Sequence, residues 1–124
     1  MAWNEAHNLI IEYILIGTDL NTARSTDRTV QEVPPYPCIR FGFGGSVGFK
    51  VIIGDKDFIE VPLEMLRNIY EQSVINNQIY NHHVFDQLYP QILRVKGCFV
   101  HVVGMIFQVS GVANFHHGNY EIIL

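Results

Sequence analysis

The chain has 124 residues, of which 48% are apolar and 16% charged, with a formal net charge of −4. That length fits one domain able to bury its own core, so folding needs neither disulfides nor a structural metal. The acidic balance argues against broad nonspecific binding to nucleic acid or anionic membranes, while leaving room for a local basic face.

No apolar run approaches the length that spans a bilayer, so no membrane association is expected. Glu5 and Glu12 stand where a signal peptide would carry basic residues. Cys38 and Cys98 are too few for a disulfide framework, and a reduced, cytoplasmic protein is expected. The charged share is well below the usual quarter, which predicts apolar side chains on the surface and a homodimer.

In chain order, residues 4–16 carry apolar side chains at helical spacing, with Asn4 as cap and Gly17 as terminator. Residues 18–29 are polar and without period, and read as a loop or a short extra turn. Pro34, Pro35 and Pro37 are expected to interrupt any regular element. Three strands follow, near 38–43, 47–53 and 57–61, joined by turns at Gly44-Gly45 and at Gly54–Asp57.

Pro62 and Glu64 open a helix over 62–75, with Asn76-Asn77 as its stop. A shorter helix, capped by Asn81, covers 81–88, and Pro90 kinks it or starts another turn. Residues 98–113 suit a buried helix, since His101, Gly104, Gln108 and Gly111 fall on one stripe; two short strands are the alternative. A turn at 116–119 and a strand over 120–124 close the chain. The predicted fold is α+β: an N-terminal helix, a small antiparallel sheet of three to five strands, two or three central helices and a closing strand.

No complete catalytic or cofactor motif is present, and no cofactor is expected. Cys98 and His101 could supply two metal ligands one helical turn apart, but zinc requires three or four. Cys98 lies in an apolar run, which disfavours the thiolate. Gly44-Gly45-Ser46-Val47-Gly48 matches the G-x-S-x-G pattern, yet the residues after it read as a strand where a nucleophile elbow needs a helix. The same stretch lacks a following Lys-Ser/Thr pair, so it is not a P-loop. Asp55, Asp57 and Glu60 read as solvated charges at a turn.

The basic residues concentrate instead. Arg24, Arg28, Arg40 and Lys50 are four of the eight Lys and Arg residues, and Thr22, Ser25, Thr26 and Thr29 are interleaved with them. Guanidinium groups and hydroxyls together are the usual equipment for phosphate contacts. The expectation is a non-enzymatic binding module in which Arg24, Ser25, Arg28, Thr29, Arg40 and Lys50 meet an anionic ligand or a nucleic-acid backbone. A competing expectation places a small molecule in an aromatic pocket lined by Tyr80, Phe85, Tyr89, Phe99, His101 and Phe107. A third is a domain whose work is protein–protein contact alone.

Three stretches occur in a suggestive order: Thr22-Ala23-Arg24-Ser25-Thr26-Asp27-Arg28-Thr29-Val30, then Ile39-Arg40-Phe41, then Ile59-Glu60-Val61-Pro62-Leu63-Glu64-Met65-Leu66 opening a helix. Over about residues 10–75 this pattern resembles the small DNA-binding domain that precedes the nuclease in some HNH-type restriction endonucleases. The resemblance implies that Arg24, Arg28 and Arg40 face DNA.

Overall fold

A computed structural model describes residues 2–22 and 27–123. Arg24 and Ser25 therefore lie outside the described residues. The architecture is α+β, with five α-helices and two antiparallel sheets of three strands each among the described residues.

The first helix, α1 (Trp3–Tyr13), is shorter than its apolar pattern suggests. Asn4 lies inside it, the chain leaves the helix at Ile14, and Gly17 belongs to the turn that follows. Isoleucines at the end of the pattern suit extended backbone as well as helix. Ala6 and Ile10 are buried, and Trp3 packs against Tyr70 with ring centroids 5.7 Å apart.

The first sheet has the order β1-β2-β3, from β1 (Arg28–Cys38), β2 (Ser46–Ile53) and β3 (Asp57–Pro62). Two expectations are corrected here. Arg28 and Thr29 are strand residues, and Gly17, Thr18 and Leu20 bond to the backbone at Val30 and Arg28. The prolines lie within β1. An edge strand tolerates a missing N–H on its outer side. The ladder absorbs Pro34 and Pro35, joined by a cis peptide bond, in a register shift between Glu32 and Tyr36. The segment expected as a strand over 38–43 is a tight turn at Arg40–Gly42, with Phe41 at φ 56°.

Next, α2 (Leu63–Ile75) follows β3 directly, with Pro62 in extended backbone before it rather than in its first turn. Then come β4 (Ile79–Tyr80), α3 (His82–Leu88), α4 (Pro90–Val95) and α5 (Phe99–Val109). The Asn81 side chain accepts from the N–H groups of His83 and Val84, at 3.0 and 3.2 Å, and caps α3. Residues 98–113 are helical as favoured, but only to Val109.

The chain then turns at Gly111 (φ 84°) into β5 (Ala113–His116) and β6 (Asn119–Ile122). His117 and Gly118 both have positive φ, as the two-residue hairpin turn requires. Here β6 is the central strand between β4 and β5.

One buried cluster joins all of this. Phe49 and Val51 of β2 and Ile59 and Val61 of β3 face Met65, Leu66 and Ile69 of α2. Ile10 of α1 and Val102, Val103 and Ile106 of α5 belong to the same cluster. His101 and Gln108 are exposed, whereas Gly104, on their stripe, is buried under the Tyr120 ring. A methyl group at Gly104 would stand 2.2 Å from that ring. Among the described residues, no helix is long and apolar enough to cross a membrane.

Candidate functional site

Alternation along β2 sends Phe49 and Val51 into the core and Gly48, Lys50 and Ile52 to the opposite face. Register places Ile52 beside Phe58 and Lys50 beside Glu60 on β3, and Glu32 beside Lys50 on β1. This outer face carries a half-buried Phe58 ring with two cations on it. The Arg40 guanidinium carbon lies 3.9 Å from the ring centroid and Lys50 Nζ lies 4.4 Å from it. Arg40 Nη1 also donates to the Phe58 carbonyl at 3.4 Å. Such contacts contribute about 0.5–1 kcal/mol each at exposed sites.

Glu60 explains how Arg40, which is not on a strand, reaches this face. Its side chain is 5% exposed. One carboxylate oxygen accepts from the N–H groups of Ile39 (2.9 Å) and Arg40 (3.0 Å), and the other from the Tyr36 hydroxyl (2.6 Å). Glu60 is thus a structural anchor, not the solvated turn charge expected from its neighbours. Burial pushes its carboxyl up, but Tyr36, the two N–H groups and the Arg40 charge outweigh this and hold it below its ordinary range. The bond to Glu60, followed by burial, pushes the Tyr36 hydroxyl up to about 12.

The expected site residues do not all meet. Arg40, Lys50 and Thr29 belong to the outer face, since Thr29 pairs with Ile52. Arg28 alternates in step with buried Val30, so it points the other way, and its charge acts on Cys98 and Tyr120. Of the two described arginines that the nuclease-like pattern marked, Arg40 lies beside Lys50 on this face and Arg28 does not; Arg24 lies outside the described residues.

The aromatic group forms a packed cluster. Tyr80, Phe85, Phe99 and Phe107 are fully buried; Tyr80 meets Phe107 edge-on at 5.9 Å, and Phe85 lies tilted against Phe99 at 6.0 Å. Tyr89 packs on Phe85, at 5.7 Å. His101 lies at the surface, its Nδ1 3.0 Å from the Tyr120 hydroxyl, which burial pushes up to about 12. Cys98 is raised by burial, despite Arg28 and Lys96 nearby, and Cys38 is pushed up to about 12 by burial and the Glu60 charge. Neither environment favours a nucleophilic thiolate. Ser46 donates to Glu64 at 3.0 Å and begins a strand. Among the described residues, no cluster of three or more His, Cys, Asp or Glu side chains is placed to hold a metal.

Phe58, Glu60 and Tyr36 were missed from sequence. For the first two a signal existed, because a period of two in 57–61 puts Phe58 and Glu60 on the face opposite Ile59 and Val61. The fold and this face define an α+β domain with a cation-flanked aromatic on an outer sheet surface. Comparisons with protein-family models, curated proteins and solved structures found no match.

Proposed function

We propose that the protein is a non-enzymatic binding module for an anionic ligand, with Arg40, Phe58 and Lys50 as the centre of its contact surface. The observation that carries this is the placement of two cations, 3.9 and 4.4 Å from one partly open ring, on the outer face of the sheet. Single-stranded nucleic acid has the matching chemistry, since the cations take phosphates and the guanidinium plane seated on Phe58 offers a base a surface to stack on. Glu60 remains an ionised neighbour of this surface, but its oxygens bond the Tyr36 hydroxyl and two backbone N–H groups rather than the Arg40 or Lys50 side chains.

The test is fluorescence anisotropy with labelled oligothymidine and oligouridine at low salt. Two phosphate contacts predict a log–log salt slope near −1.4. Arg40→Ala with Lys50→Ala should remove that slope, and Phe58→Ala should weaken binding by about 1–3 kcal/mol. No binding at low salt, or equal binding by the variants, rejects the proposal.

A second reading, self-association, has its own observation. Ile11, Tyr13, Leu15 and Ile16 are 40–65% exposed within six residues at the end of α1. Apolar side chains so grouped mark contact surfaces. A homodimer by light scattering, converted to monomer by Leu15→Lys with Ile16→Lys, is the expected result; a monomeric wild-type chain at all concentrations rejects it.

A further inference from the structure

Residues 39–45 join β1 to β2 without belonging to either ladder. Phe43 packs against the edge of the core, and the other described attachments include the following contacts. Glu60 on β3 accepts the Ile39 and Arg40 N–H groups. The Arg40 side chain lies on Phe58. Phe41 meets Phe99 edge-on at 6.0 Å, and Phe43 meets Tyr89 at 5.8 Å.

Within the segment, the Phe43 N–H donates to the Arg40 carbonyl and the Ser46 N–H to the Phe43 carbonyl, so the Phe43 amide is protected only while this turn is closed. Phe41 is held at φ 56°, a left-handed conformation that a bulky L-residue adopts only when its surroundings enforce it. Gly42 and Gly45 are also left-handed, and a Cβ added at Gly42, Gly44 or Gly45 would meet nothing within 4 Å. The segment is therefore strained at its centre, free to turn at its glycine end, and fastened at its start by one carboxylate.

We propose that residues 39–45 are a hinged strap, latched by Glu60, that opens as one unit while β1, β2 and β3 stay paired. Opening lifts Arg40 off Phe58 and withdraws Phe41 and Phe43 from Phe99 and Tyr89. The strap thereby governs two surfaces together: the cationic face of the sheet and the aromatic cluster of α3 and α5. This does not depend on the proposed ligand, because the readout contains none.

The experiment is amide hydrogen exchange on the folded, full chain, followed residue by residue. The amides of Ile39, Arg40 and Phe43 should share one opening equilibrium, about tenfold or more easier than that of Phe49 and Val51 in β2. Glu60→Gln should ease the strap opening by about tenfold further, since it removes the ionised acceptor of the Ile39 and Arg40 N–H groups. The proposal is overturned if the three strap amides open independently, or if they open only together with Phe49 and Val51. Should Glu60→Gln fail to fold, the wild-type comparison alone decides between these outcomes.

Discussion

Glu60→Ala is expected to destabilise the chain by about 2–4 kcal/mol, because it leaves two N–H groups and a tyrosine hydroxyl without their acceptor. The donors belong to Ile39, Arg40 and Tyr36, so the loss falls on the end of β1 and the turn after it. The effect carries a pH signature. The folded carboxyl lies below its ordinary range, so its contribution is fully present above the unfolded value of about 4.3 and is lost as pH falls through the folded value. Asp57, lowered first by its hydrogen bond to Lys96 and then by the Phe58 N–H, acts in the same direction. Thermal unfolding of wild type and Glu60→Gln between pH 7 and pH 3 reads this out. The gap between them should narrow as acid is added; a constant gap would falsify the assignment of a charged, hydrogen-bonded Glu60.

Gly48→Ala should be at least as severe, at about 3 kcal/mol or more, beyond the usual range for one methylene too many in a packed site. Its new methyl would stand 2.2 Å from the Val61 carbonyl oxygen and 2.6 Å from the Pro62 Cα. Both obstacles are backbone, so no rotamer can relieve them. Because Gly48 pairs with Pro62, immediately before α2, making room would part β2 from β3 where the helix begins. Gly44→Ala is the control, since nothing lies within 4 Å of that methyl, and a change within about 0.5 kcal/mol is expected. Urea unfolding monitored by circular dichroism compares the two, and similar midpoints would show that the close approach at Gly48 is wrong.

Much of the fold was readable because its signals are local. The hairpin of β2 and β3 announces itself by alternation and a Gly-Asp turn, and α2 by the spacing of Leu66, Ile69 and Tyr70. Asn81 identified its cap position from residue type alone. What stayed hidden depends on partners distant in sequence. The proline-containing β1 is a strand only because β2 accepts it at an edge, and β4, two residues long, exists only because β6 reaches it. The end of α5 was ambiguous since Val109 and Val112 suit helix and strand alike.

The candidate site was half visible. Charge clustering found Arg40 and Lys50 but could not show that Arg28 points to the other side, because that follows from strand register. Nor could it find Glu60, whose role is defined by residues 20 and more positions away.

The prolines of β1 have a final consequence. A bare sheet margin is a template on which a foreign chain can polymerise, and proline has no amide hydrogen to offer it. Pro34, Pro35 and Pro37 therefore deprive this margin of donors over its second half, while residues 17–20 cover its first. In a chain with so few charges to keep copies apart, the strand that looks least like a strand guards against fibre growth from that side.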